Sequence, residues 1–313
     1  AVFMYAFLLV PSDRYPIGTL NRDGYETYGM ISGGVILVSI LVSALGTHHR
    51  IGSLTAPRPR DHFGVKVAFR EVFETLRDKS FFALFISSIA SAAATGLTAA
   101  LTFIMLTYFW AFSSLEIFYW TLLVLVSASM GFFIAPWASR RWGKKGAALR
   151  LGVLAFAVQP LPVVFRLMGW MPDNGDPILF PILATVNTID LGLIIAMQAI
   201  FFSMLADLVE HSEVRTGRRS EGVLFSALTF IRKTNQGIGA FAAGLMLQAA
   251  AFPEGASPEE VPTESVMQLG TFLVPSQWLL WAIMLAALAF YRLDRQQHDA
   301  NLETIGARDG SRV

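Results

Sequence analysis

Apolar runs of membrane-crossing length limit what this chain can fold into more than any other feature of its sequence. Seven of them, at about residues 28–46, 80–108, 116–138, 147–170, 178–207, 222–250 and 272–292, reach the roughly 20 residues a helix needs to cross about 30 Å of hydrocarbon. Inside lipid every backbone N–H and C=O must be satisfied within the protein, and runs of this length do so as helices. Composition agrees, because 54% hydrophobic and 15% charged residues over 313 positions leave more apolar surface than one soluble core can hide. The expected fold is therefore all-α, a polytopic membrane helical bundle with about seven complete spans. Residues 1–10 form a shorter apolar run without an initiator Met or a basic flank, and are expected as the end of another helix rather than a signal peptide.

The positions of Lys and Arg between the spans give the orientation, since positive loops stay on the cytoplasmic side. Arg50, Arg58, Arg60, Lys66, Arg70, Arg77 and Lys79 fall in one connection, Arg140, Arg141, Lys144 and Lys145 in the next of that parity, and Arg215, Arg218 and Arg219 in the third. The opposite loops after the first, 171–177 and 252–275, hold no Lys or Arg but contain Asp173, Asp176, Glu254, Glu259, Glu260 and Glu264; only Arg14 and Arg22 depart from the rule. The expected placement is integral to the plasma (inner) membrane with a cytoplasmic C-terminus. Within the connection 47–79, Phe69, Val72, Phe73 and Leu76 recur at helical spacing among charges, which suits either an amphipathic helix on the inner leaflet or a solvated linker.

Several function classes fall away. A formal charge of +1 with no basic–aromatic interleaving gives no nucleic-acid surface. The absence of cysteine removes disulfides, thiolate metal sites and cysteine nucleophiles, and the five histidines lack a metal-binding spacing. No His/Asp constellation or serine with a base lies in the spans, so the chain is not expected to be an enzyme, and no cofactor or metal is implied.

Ionisable groups inside a span cost several kcal/mol and are functional candidates for that reason. Lys233 lies about eleven residues into its span, hence about 16 Å deep at 1.5 Å per residue, and is expected to face a polar cavity rather than pair with a neighbouring helix for structure, the alternative that stays open. Its neighbour Arg232 points about 100° away and suits a structural ion pair or snorkelling. Asp190 lies about twelve residues into the preceding span; it could take a proton or cation, or bond to Asn187 or Thr188. Arg166, near the outer surface, is explained by snorkelling. Ser87, Ser88, Ser91, Thr95, Thr98 and Thr102 form a hydroxyl stripe along one span, and Gly237, Gly239, Ala240, Ala243 and Gly244 form a small-residue stripe on another that would let helices approach closely.

Two further stretches carry a family resemblance. The first, Pro136-Trp-Ala-Ser-Arg140-Arg-Trp-Gly143-Lys144-Lys145, resembles the short cytoplasmic loop motif of the major facilitator superfamily. The second, Asp207, Glu210, Glu213, Gly217, Arg219, Glu221-Gly222 and then Lys233, resembles the region of the tenth and eleventh helices in the glycoside–pentoside–hexuronide:cation symporters. The resemblance implies a cation-coupled transporter moving a sugar or other small polar organic solute, with H⁺ or Na⁺ as coupling ion and a small-molecule substrate and the bilayer as partners. By analogy with the superfamily the protein is expected to be a monomer.

By the same resemblance Asp207, Glu210 and Glu213 form an acidic cluster at the cytoplasmic end of a helix, Arg219 is their basic gate partner, and Lys233 lies near the substrate and coupling-ion region. The implied organisation is the end of an N-terminal half-bundle over 1–46, an inter-half linker over 47–79, a six-helix half-bundle over 80–292 and a cytoplasmic tail over 293–313. Most of the family's cation and sugar site belongs to helices that have no counterpart in this chain. Two other readings stay open here: a transporter of lipid-like cargo from the same superfamily, and a non-transporting sensor or partial copy.

Overall fold

In the computed structural model the described residues are 3–10, 15, 18, 21–53, 79–216, 221–253, 255–258 and 260–291. The expected amphipathic segment at residues 66–77 and the tail from residue 293 lie outside them. All regular structure among the described residues is helical, which establishes the expected all-α class. Helices α1 (Arg22–His48), α2 (Lys79–Ile104), α3 (Ser114–Val158), α4 (Leu161–Leu167), α5 (Leu179–Thr216), α6 (Glu221–Ala249) and α7 (Thr263–Ala289) follow in order, with α2 continuing as a π-helix over Met105–Phe109. Five apolar stretches of the described chain are long enough to span a membrane, and the longest, Ser114–Leu167, has 54 residues. The chain clusters into two units, residues 1–67 with 112–122, and residues 68–111 with 123–313.

In the first unit, Asn21 caps α1 by accepting the Gly24 amide at 3.2 Å, and its own amide reaches the Leu8 carbonyl at 3.4 Å. Any Cβ on Gly24 would run into the Leu8 carbonyl, so glycine there permits the close approach. Ser113 and Glu116 form a reciprocal cap at the start of α3: Glu116 Oε2 accepts the Ser113 amide at 2.7 Å, and Ser113 Oγ accepts the Glu116 amide at 3.3 Å.

The second unit holds the larger core, where Trp281, Met284, Met197, Met204 and Leu151 are fully or almost fully buried. At 1.5 Å per residue, Ser114–Leu167 is more than twice the length of one crossing, and it breaks at Gly143 with φ 69° and ψ 163°. That combination is open essentially to glycine alone. The reversal is confirmed by packing against α5: a Cβ on Gly131 would meet Ile195, and one on Gly152 would meet Met197, so the two arms pass the same level of α5. The two expected spans at 116–138 and 147–170 are thus a hairpin turned on one residue.

The small-residue stripe has a single tight contact. A Cβ on Gly239 of α6 would lie 2.5 Å from the Gly96 backbone carbon of α2, and Ala243 is buried, whereas Gly237 and Gly244 face open space. The hydroxyl stripe of α2 splits by role. Ser87 donates to the Ala83 carbonyl at 2.7 Å and reaches the Met284 carbonyl of α7 at 3.2 Å, while Thr95, Thr98 and Thr102 bond back to the preceding turn.

Helix α7 begins nine residues before the expected start at 272, because Ser265, Val266, Leu269 and Gly270 are buried despite the polar Thr263, Glu264 and Gln268 between them. Arg166 does more than snorkel: its guanidinium lies 5.0 Å from the Trp110 ring centroid and donates to Asn174, whose amide donates to the Phe109 carbonyl at 3.1 Å.

Candidate functional site

The loop motif and the acidic motif, 63 residues apart in sequence, meet in space. Lys144 Nζ lies 2.6 and 2.7 Å from the two carboxylate oxygens of Asp207, with side-chain exposures of 31% and 9%. The turn at Gly143 makes this possible, because it starts the second arm of α3 one residue before Lys144. Lys145, the next residue, donates to the Ala289 carbonyl at 2.7 Å and caps the C-terminus of α7. Arg140 bonds back to the Pro136 carbonyl at 3.3 Å and is exposed. The motif therefore ties the second arm of α3 to α5 by a charge pair and to the C-terminus of α7 by a cap, from a start set by a hinge residue.

Of the other expected gate residues, Glu210 and Glu213 belong to α5 but their side chains lie outside the described set, and Arg219 lies outside it entirely. Asp207 is bound to Lys144 within one unit of the fold, a partner the sequence did not suggest.

A cleft of about 60 Å³ lies between α2 and α5, lined by Leu84, Ser88, Ser91, Ala92 and Thr95 on one side and by Gln198, Phe201, Phe202 and Leu205 on the other. Thr95 donates its hydroxyl to the Ser91 and Ala92 carbonyls, which leaves its oxygen as an acceptor. The side chains of Ser88, Ser91 and Gln198 make no hydrogen bond among the described residues and so present open donors and acceptors. Two adjacent phenyl rings give the wall apolar faces. A mostly apolar surface with a few convergent polar groups is the composition of a small-molecule site. The volume suits a few waters or part of a solute, so this is one wall and not a closed pocket.

Neither Lys233 nor Asp190 lines this cleft. Lys233 is exposed on α6, six residues or about 9 Å along the helix from the Gly239 contact. Asp190 is 6% exposed, and its Oδ1 has no hydrogen-bond partner among the described residues. Thr188 bonds instead to the Ala184 carbonyl, and Asn187 Nδ2 is itself unpaired, so neither expected local partner serves the acid. Sequence reasoning passed over Gln198, although it is the one uncharged amide in the apolar run from Leu191 to Leu205. It also missed a buried chain in which Trp281 donates to Gln159 at 2.7 Å while Gln277 donates to Thr98 at 2.7 Å and to the Ala94 carbonyl at 3.2 Å.

The family described as MFS/sugar transport protein matches residues 1–295, and the chain belongs to it. Among curated proteins, a relative from Escherichia coli (strain K12), provisionally named for the export of 2,3-dihydroxypropane-1-sulfonate, is 28% identical over 57% of this chain and 36% of its own length. An isoprimeverose transporter of Lactiplantibacillus pentosus is 28% identical over 54% of this chain and 33% of its own. The uncharacterized symporter YjmB of Bacillus subtilis (strain 168) is 24% identical over 74% of this chain and 48% of its own. The chain thus spans between a third and a half of the length of these relatives. All three are named as transporters, in line with a membrane protein that is not an enzyme.

Proposed function

We propose that this chain is part of a secondary transporter that couples the movement of a sugar or another small polar organic solute to a H⁺ or Na⁺ gradient. The cleft between α2 and α5 forms one wall of the solute path. The observation that carries this reading is the set of open hydrogen-bonding groups on Ser88, Ser91 and Gln198 beside the rings of Phe201 and Phe202. Hydroxyl-rich solutes need such donors and acceptors, and the flat C–H faces of a sugar ring suit the aromatic wall. Lipid-like cargo would leave those polar groups unsatisfied, at a cost of about 1–3 kcal/mol each. The name of the Lactiplantibacillus relative carries a sugar and that of the Bacillus relative a symporter, which supports both halves of the proposal.

Lys233 supplies a fixed positive charge that positions carboxylates or an anionic substrate near the coupling region. At the inner end, the Lys144–Asp207 pair holds α3 and α5 together as one wall, because both partners belong to the same unit. That leaves Glu210 and Glu213 to close against Arg219 or another cation when the transporter faces outward. The protein works in the plasma membrane as a monomer with its C-terminus in the cytoplasm.

The test is uptake of a labelled sugar panel into vesicles holding the product of the complete coding sequence, under an imposed Na⁺ or H⁺ gradient. Gradient-dependent uptake that is lost in Lys233→Ala supports the proposal. Correctly inserted protein that moves no sugar under either gradient overturns it.

A further inference from the structure

The buried acid Asp190 falls in helical register with two amides that do not line the cleft. Its place follows from one packing contact. A Cβ on Gly152 would touch both Met197 of α5 and Met284 of α7, so the second arm of α3, α5 and α7 converge at that level. Seven residues along a helix come within about 20° of two full turns and advance about 10.5 Å, so the same faces meet again one such step outward. The step leads from Gly152 to Gln159, from Met197 to Asp190 and from Met284 to Gln277. Two of these three are seen to converge: Gln159 and Gln277 both reach Thr98 Oγ1, at 3.5 and 2.7 Å, and Trp281 donates to Gln159.

Three buried side-chain atoms on α5 and α7 have no partner among the described residues: Asp190 Oδ1, Gln277 Oε1 and Asn187 Nδ2. Asn187 lies three residues before Asp190, on the same face of α5. Gln277 is 4% exposed and its amide nitrogen is already committed to α2, which turns its oxygen away from that helix. No Lys, Arg or His of α2, α5 or α7 lies at this level. Arg150 is exposed, and Arg166, seven residues or about 10 Å beyond Gln159, donates from Nη2 to Asn174 and stacks on Trp110, while its buried Nε has no partner among the described residues.

We infer that Asp190, Gln277 and Asn187 bind one buried water that joins α5 to α7. The stoichiometry closes: the water donates one O–H to Asp190 Oδ1 and the other to Gln277 Oε1, and accepts Asn187 Nδ2–H. Three bonds is the usual number for a buried water. The donor in the set favours water over a metal cation, which would face an N–H. Asp190 Oδ1 accepts in either protonation state, so the bridge does not depend on its charge. This site is independent of the transport reading.

Two measurements on the complete protein test it. In a density map that resolves ordered water, a peak within hydrogen-bonding distance of both Asp190 Oδ1 and Gln277 Oε1 supports the site, and a direct bond between the two, or no peak, overturns it. In thermal unfolding, Asp190→Asn keeps an acceptor and should leave Tm nearly unchanged, whereas Asp190→Leu and Gln277→Met should each lower it by about 4–8 °C. The double variant should lose less than the sum, because the water leaves with the first substitution. Strict additivity, a rise in Tm for Asp190→Leu, or a Na⁺-dependent Tm that Asp190→Asn abolishes would each refute a bound water.

Discussion

Replacing Lys144 by Met removes the cation that holds Asp207 while keeping a stem of similar length. Asp207, 9% exposed, then loses this cation in a place that water reaches poorly, whereas Lys144, 31% exposed, can turn to solvent when its partner is the one removed. Charge-assisted hydrogen bonds are worth about 1.5–3 kcal/mol and breaking a fully buried pair about 3–5. Because water reaches the Lys144 end, the lower range applies and Lys144→Met should cost about 2 kcal/mol. On the scale of a unit of some 200 residues that lowers Tm by about 4–8 °C. Asp207→Asn should cost less, about 1 kcal/mol, since it deletes the buried charge and leaves the exposed one. The double variant Lys144→Met/Asp207→Asn should then be more stable than Lys144→Met alone. Thermal unfolding of the four proteins in one lipid or detergent reads all three differences. Equal losses in the two single variants with no recovery in the double would show that the pair does not anchor α3 to α5.

Other expectations follow from single residues. Gly143→Ala places a side chain in a backbone region that only glycine occupies freely and should lose about 1–3 kcal/mol in the same unfolding assay, while Gly146→Ala, in ordinary helix, should lose little. Gly239→Ala should reduce the folded yield strongly because its Cβ meets the Gly96 backbone, and Gly244→Ala, with open space around it, should be neutral by size-exclusion profile. Gln198→Ala should raise the KM for solute more than it lowers kcat, if the amide contributes binding alone. In the loop between α6 and α7, the amide of Ser257 donates to Glu260 at 2.9 Å and holds its carboxyl below the ordinary value of 4.5. The bond is complete above that ordinary value and is lost as pH falls through the lowered one, so hydrogen exchange of the Ser257 amide, corrected for intrinsic rate, should quicken only in that acid range.

Much of the architecture is legible because crossing a bilayer imposes length and hydropathy on the sequence directly. The helix borders are less so where burial rather than hydropathy sets them, as with the polar first turns of α7, or where α5 runs on past residue 207 through its acidic end. The loop motif announces a turn, and Gly143 is the residue that makes it. Its pairing with Asp207 could not be read, because two motifs on separate hairpins reveal nothing of which helix ends meet. The hydroxyl stripe was visible as a stripe, yet one turn of it faces a neighbouring helix and another faces the cleft, a division that depends on the azimuth of α2. Asp190 shows the same limit: its depth follows from counting residues, but which groups it meets depends on how three helices converge near Gly152.

The cleft's place on the solute path is tested most directly by one cysteine. Because these 313 residues contain no cysteine, Ser88→Cys gives one reporter in the wall, read against the same protein without the substitution. In the complete protein, reaction of this cysteine with a membrane-impermeant maleimide should slow severalfold when the transported solute is present and remain unchanged with a solute that is not carried. Labelling that ignores the transported solute, or no labelling from either side of the membrane, would contradict the account.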